Sequence, residues 1–182
     1  RVDSGIRQLS IARDAAERGA DIRTRTECIA LKRGADHWNL DIRQNGAVTT
    51  EQARVLVNAA GPWVDPVTAM YDQSGNAAKL RLVKGSDAAS EYFEKPVERT
   101  DIVWNYSGVR PLFDDHSRTA ATVTRDFVFD YDNDDGAPVL SIFGGKITTY
   151  RVLALQAIRT LSEALDVDGD DWTKEAHLPG GD

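Results

Sequence analysis

Hydrophobic positions first recur at helical spacing between Ser4 and Gly19. Ile6, Leu9, Ala12 and Ala16 form one stripe, Ala15 lies beside it, and Arg7, Arg13, Asp14, Glu17 and Arg18 fall mostly elsewhere. A helix is predicted there, with Asp3 or Ser4 able to cap its start and Gly19 just past its end. Three strand-like pieces come next, Asp21–Thr24, Glu27–Lys32 and His37–Arg43, and the turn signals Arg33-Gly34-Ala35-Asp36 and Gln44-Asn45-Gly46 separate the later ones. Ala53–Ala59 is almost continuously apolar, which suits a strand buried on both faces, as in a parallel sheet. It runs into Ala59-Ala60-Gly61-Pro62, where small residues allow close approach to the backbone, and a short helix is predicted from Pro62 to about Tyr71.

In the second half, Leu80–Val83, Asp101–Tyr106 and Thr119–Phe129 read as strands. After Lys84-Gly85-Ser86 a strand end runs almost directly into a helical fragment. Val139–Phe143 reads as a further buried strand. Gly144-Gly145-Lys146 then leads into an amphipathic helix reaching about Leu165, with Tyr150, Leu153, Ala154, Ala157, Ile158 and Leu161 on one face. Asp166–Asp182 is acidic, poorly periodic and predicted to be loop; no internal repeat or low-complexity segment occurs.

Composition narrows the function classes. With 182 residues, 41% of them hydrophobic and 28% charged, the chain is a folded soluble protein of one ordinary domain or two small ones. Its 22 Lys and Arg against 29 Asp and Glu give a formal net charge of -7, which argues against a nucleic-acid partner. The single cysteine, Cys28, excludes an internal disulfide and a cysteine-built zinc site and points to a reducing compartment. No apolar run approaches the roughly 20 residues of a membrane-spanning helix, and Arg1-Val2-Asp3 does not open a signal peptide.

Two places carry candidate chemistry. At Val139–Tyr150 a buried strand gives way through Gly144 and Gly145 to a helix start, where free N–H groups and the helix dipole favour an anion. Lys146 adds a point charge, and Thr148 and Thr149 add hydroxyls. A nucleotide P-loop is excluded, because Leu140 and Ile147 stand where that motif needs glycine and Ser or Thr. The spacing leaves two readings open, an anion site or a tight turn with a solvated lysine. At Tyr106-Ser107-Gly108-Val109-Arg110-Pro111-Leu112, the Arg110 fork suits a carboxylate or phosphate, and a structural ion pair is the alternative.

Metal sites are not predicted. Asp130–Gly136 resembles the start of a calcium loop, but Asp135 stands where glycine is needed and Ser141 where the bidentate glutamate is needed, so a hairpin turn is expected. Asp114-Asp115-His116 reads as a solvated turn, and no Gly-x-Ser-x-Gly elbow is present.

Taken in order, several segments resemble the FAD-dependent glycerol-3-phosphate dehydrogenases. Val57-Asn58-Ala59-Ala60-Gly61-Pro62-Trp63 is similar to that family's second flavin-contact motif, and Leu82-Val83-Lys84-Gly85-Ser86 comes next in place. Trp104-x-Tyr106-Ser107-Gly108-Val109-Arg110-Pro111-Leu112, Thr124-Arg125-Asp126, Phe143–Arg151 and Leu178-Pro179-Gly180-Gly181-Asp182 complete the resemblance. The family's Gly-x-Gly-x-x-Gly, which takes the FAD pyrophosphate, does not occur in the 182 residues. After Ser86 the pattern continues with a histidine and a long stretch of sheet, whereas Asp87 stands here. The resemblance therefore implies a chain lacking the N-terminal FAD segment, an internal block and the C-terminal domain.

The resemblance implies an α/β fold: part of a Rossmann-like FAD-binding domain joined to part of an antiparallel substrate-domain sheet. The expected divisions are 1–83 for the FAD-binding part, 84–137 for the substrate part, 138–166 for a return to the FAD-binding part, and 167–182 for a linker. The implied activity is oxidation of sn-glycerol 3-phosphate to dihydroxyacetone phosphate, with hydride passing to FAD and electrons to membrane quinone. Arg110 and Lys146 would clamp the substrate phosphate. Gly144, Gly145, Lys146, Ile147 and Thr148 would line the pyrimidine edge of the flavin, and Ala59, Gly61 and Trp63 would contact FAD on the other side. Trp63 has core packing as its alternative. With Asp87 in the histidine's place, no catalytic residue is assigned. A flavin oxidase that uses oxygen, and a non-catalytic fragment or binding module, are the competing readings. The family's place is cytoplasmic, peripheral on the inner face of the cell membrane, and exposed strand edges make a homo-dimer an expected partner state. By themselves these residues are expected to show no flavin absorbance and no turnover.

Overall fold

The computed structural model describes residues 4–72, 80–85, 108–114, 126–167 and 171–177. Among these are three helices and eight strands: α1 (Ser4–Glu17), β1 (Thr26–Arg33), β2 (Trp38–Gln44), β3 (Ala47–Ala53), β4 (Leu56–Asn58), α2 (Val64–Thr68), β5 (Leu80–Gly85), β6 (Gly108–Phe113), β7 (Val128–Asp132), β8 (Val139–Phe143) and α3 (Tyr150–Leu165). The strands form sheets ordered β1-β2-β3, β4-β8-β7 and β5-β6. The chain is thus a mixed α/β fold, as the sequence predicts. It divides into two compact units, one of residues 1–57, 131–140 and 146–182, the other of residues 58–130 and 141–145.

In the first unit, β1, β2 and β3 make an antiparallel meander, with Arg33 opposite Trp38, Trp38 opposite Ala53 and Gln44 opposite Ala47. Asn45 and Gly46 both have positive φ, the two-residue turn whose twist matches that of hairpin strands. The register of β1 slips between Cys28 and Ala30, an irregularity of the bulge type. The core gathers around Trp38, which is sealed from solvent, with Leu31, Ala137, Val139, Leu140, Ala157 and Leu161 also buried. Trp38 Nε1 donates to Pro138 O at 2.9 Å, so burial of the indole leaves no polar atom without a partner. Arg33 donates from Nε to Ala137 O at 2.8 Å and from Nη1 to Asp132 Oδ2 at 2.7 Å. Asp130–Asp132 therefore end β7 and only the residues after them bend, with Arg33 holding both sides of the bend; among the described residues no group of three or more His, Cys, Asp or Glu could hold a metal ion.

α3 ends at Asp166 in the left-handed conformation, and Arg54 Nη2 donates to Leu165 O at 2.9 Å, satisfying one of the carbonyls that a helix end leaves open. Residues 171–177 form no helix or strand, as expected of the tail. They are tied by Arg151 Nη1 to Asp171 at 2.9 Å and by Arg18 stacked 4.2 Å over the Trp172 ring.

Four expectations are corrected. Asp21–Thr24 is not a strand; it is irregular and turn structure ahead of Arg25, which has positive φ. The Ala53–Ala59 run is split between the end of β3 and the short β4, and Val57 is 44% exposed rather than buried on both faces. On α1, Leu9 is 73% exposed, while Ile11, Ala12 and Ala15 are half-buried. Those three satisfy the same helical spacing as the stripe read from sequence, so periodicity alone does not distinguish the two faces. On α3 the buried positions are Ala157 and Leu161, with Ile158 half exposed. No described helix is long and apolar enough to cross a membrane.

In the second unit, β5 and β6 pair antiparallel from Leu80 opposite Phe113 to Gly85 opposite Gly108. The 3-10 turn Gly61–Trp63 leads into α2 and packs against β6. Val64, Leu112 and Phe143 are buried, and the Phe113 and Phe143 rings meet edge to face with centroids 5.8 Å apart. The strands predicted at Asp101–Tyr106 and at residues 119–125 lie outside the described residues.

Candidate functional site

β8 is a strand of buried residues that stops abruptly. Gly144 and Gly145 come next at φ +74° and +91°, where a side chain is strained. At Gly144 a Cβ would also stand 2.7 Å from Asp126 O, so backbone packing alone requires glycine there. Lys146 is extended and exposed, and a 3-10 turn, Ile147–Thr149, opens the 16-residue helix α3. Thr149 closes this corner on itself. Its hydroxyl accepts from Lys146 N–H at 3.3 Å and donates to Lys146 O at 3.1 Å. That leaves the first-turn N–H groups of Ile147 and Thr148, the exposed Thr148 side chain and the Lys146 ammonium as the donors the corner presents outward. No acidic residue occupies the first turn to oppose an anion.

The second group of predicted residues lies just after β4. Asn58, 2% exposed, ends the strand and anchors the Ala59–Trp63 turn beyond it. Its Nδ2 donates to Val64 O at 2.9 Å and to Thr68 Oγ1 at 3.2 Å, while its Oδ1 accepts from Ala60 N–H at 3.4 Å. Thr68 Oγ1 in turn donates to Val64 O at 2.9 Å. Every polar side-chain atom of this buried pair is used, which fixes the turn to α2. Ala59 is exposed, Gly61 has φ +57° with open space where a Cβ would stand, and Trp63 is 67% exposed. Core packing therefore does not account for Trp63.

Arg110 lies inside β6 opposite Val83, not at the end of the strand predicted upstream. The sequence hides β6 because Gly108 and Pro111 read as breakers. Among the described residues β5 and β6 have no third partner strand, and an edge strand is where proline is tolerated. The Arg110 side chain lies outside the described residues. Ala59, Gly61, Trp63, Arg110, Gly144 and Gly145 belong to the second unit; Lys146, Ile147 and Thr148 belong to the first. Within the second unit the turn bearing Gly61 and Trp63 is brought against the strand bearing Arg110. In the sequence Asn58 stands out only as part of a motif and Thr68 not at all. The available signal is a polar amide closing an apolar run, with a threonine ten residues on.

Comparison with known proteins shows what the chain is similar to. The family described as FAD dependent oxidoreductase matches residues 8–86. The chain is 33% identical to a D-erythritol 1-phosphate dehydrogenase of Brucella abortus (strain 2308), over 92% of this chain and 46% of that protein. It is 31% identical to a glycerol-3-phosphate dehydrogenase of Pseudomonas tolaasii, over 92% and 45%, and 30% identical to the aerobic glycerol-3-phosphate dehydrogenase of Escherichia coli (strain K12), over 99% and 49%. The chain thus spans about half the length of the curated relatives it matches. The first of these alignments runs over 231 positions, more than the 182 residues of the chain, so the relatives carry residues inside the matched region that this chain lacks. The family match stops at residue 86, where the sequence resemblance breaks.

The residues present suit the flavin group. Trp63 offers an open aromatic face, Gly61 offers bare backbone, and the Gly144–Thr148 corner offers helix-start donors and a cation with no acid in the first turn. In the match over residues 8–86 and in dehydrogenase relatives aligned along 92–99% of its length, the chain is similar to FAD dependent oxidoreductases.

Proposed function

We propose that the protein carrying this chain oxidises the secondary alcohol of a short polyol phosphate, sn-glycerol 3-phosphate giving dihydroxyacetone phosphate. FAD, when bound, supplies the hydride acceptor, and the electrons pass to membrane quinone from the cytoplasmic face of the membrane. The observation that carries this reading is the corner at Gly144-Gly145-Lys146, where a buried strand meets the start of a long helix with an exposed cation and no acid in its first turn.

Each residue has a part in this reading. Lys146 supplies a point charge and Arg110 a planar fork, two cations suited to a phosphate dianion. Fixing the phosphate fixes the carbon that loses hydrogen, so the catalysis these residues provide is positional. Ile147 and Thr148 would offer main-chain N–H groups to the electron-rich edge of a bound flavin, and Gly144 and Gly145 would let it approach the backbone. Ala59, Gly61 and Trp63 would contribute further contacts to FAD. Asp87 occupies the position where the family carries histidine and lies outside the described residues.

One relative, named for D-erythritol 1-phosphate, supports a second substrate of the same chemistry. The test is dye-coupled turnover of the intact gene product on both polyol phosphates. Turnover of one of them is expected, and Arg110→Ala should raise its KM by about tenfold or more, the loss of one charge-assisted phosphate contact. Absence of turnover on both, or turnover untouched by Arg110→Ala, would overturn the assignment. Peroxide formation without dye would identify oxygen as the acceptor in place of quinone.

A further inference from the structure

We propose that Asn58 and Thr68 are positioning residues for the cofactor: they set the Ala59–Trp63 turn from behind without touching the flavin. The inference rests on the functional reading above. Asn58 is buried at the end of β4 and reaches both sides of the turn, accepting from Ala60 N–H and donating to Val64 O and Thr68 Oγ1. Thr68, also buried, closes the network by donating to Val64 O. Beyond this pair, the turn is held by its packing against β6 and by its own backbone bonds. Ala59 and Trp63 are exposed, and Gly61 is half-buried with open space only where a Cβ would stand. Two backbone bonds close it locally, Trp63 N–H to Ala60 O at 3.1 Å and Val64 N–H to Gly61 O.

A turn with exposed residues needs an internal anchor if it is to present the same surface each time, and two fully satisfied buried side chains supply one. The amide is suited to this task. Asn58 needs an acceptor toward Ala60 and donors toward Val64 and Thr68, and an asparagine side chain carries both kinds of group. Leucine has neither, and aspartate, when ionised, has acceptors alone. Thr68 must accept and donate through one atom, which a hydroxyl does and a methyl does not.

The experiment uses the intact gene product with Thr68→Val, Thr68→Ser and Asn58→Asp. FAD affinity of the apoprotein is read by titration and folding by far-ultraviolet circular dichroism. Thr68→Val and Asn58→Asp should each weaken FAD binding about five- to tenfold, with KM for the polyol phosphate unchanged. Thr68→Ser should keep the parent affinity. A purely structural role predicts lower melting temperatures with FAD affinity unmoved in the folded variants, and that result would overturn the inference, as would Thr68→Ser binding as poorly as Thr68→Val. A wild-type protein that binds FAD while failing to turn over either polyol phosphate would remove the functional reading and leave this assignment standing. A wild-type protein without affinity for FAD would remove both.

Discussion

Arg33 directs its whole guanidinium at one turn. Nε meets Ala137 O, Nη1 meets Asp132 Oδ2, Nη2 meets Asp132 O and Oδ1 at 3.1 and 3.2 Å, and the group lies 5.7 Å from the Trp38 ring. Asp132 also accepts from Asp134 N–H at 3.0 Å. The Arg33 hydrogen bond, more than any other influence, holds the Asp132 carboxyl below the ordinary carboxylate range. A carboxyl lowered on folding stabilises the native state fully above its unfolded value, about 4, and loses that contribution as pH falls through its folded value. Asp132 is half exposed, so the effect is modest. Asp132→Asn should cost about 1 kcal/mol at neutral pH, and urea midpoints of the two proteins should converge below about pH 3. A gap that persists unchanged in acid would separate the lost stability from ionisation.

At the scale of elements, legibility in the sequence depends on whether burial keeps a simple period. β8 is legible to the residue because it is five successive apolar or small residues, four of them buried by the fold. β1, β2 and the Asn45-Gly46 turn are legible because alternation and turn chemistry coincide there. β3 is hidden although its hairpin turn is plain: Ala47–Ala53 is mostly exposed and carries Thr, Thr, Glu and Gln, so no apolar face marks it. It is a strand because β2 supplies the partner, which is tertiary information. The corner after β8 is the reverse case, a sequence feature with a geometric cause. Gly144→Ala meets both a positive φ and the Asp126 carbonyl, and should destabilise by about 2–4 kcal/mol. Gly61→Ala meets open space and should cost about 1 kcal/mol from backbone strain alone. Equal losses in urea unfolding would mean that the Asp126 contact yields freely.

For the molecule as a whole, motifs in order carry the resemblance, and periodicity carries little of it. The matching segments from Val57 to Arg151 are spread across both compact units, a division no stretch of sequence announces. The candidate site residues are legible as types, glycines at a strand-to-helix corner followed by a lysine, because their chemistry is local. Asn58 and Thr68 are not, because their importance comes from a network closed across ten residues and sealed from solvent. The contrast between Trp38 and Trp63 has an optical consequence. One indole is enclosed and hydrogen-bonded to Pro138, and the other stands in water on the turn after Gly61. Iodide should therefore quench the emission lost in Trp63→Phe and leave untouched the blue-shifted component lost in Trp38→Phe, giving the chain an internal reference lamp beside a surface probe.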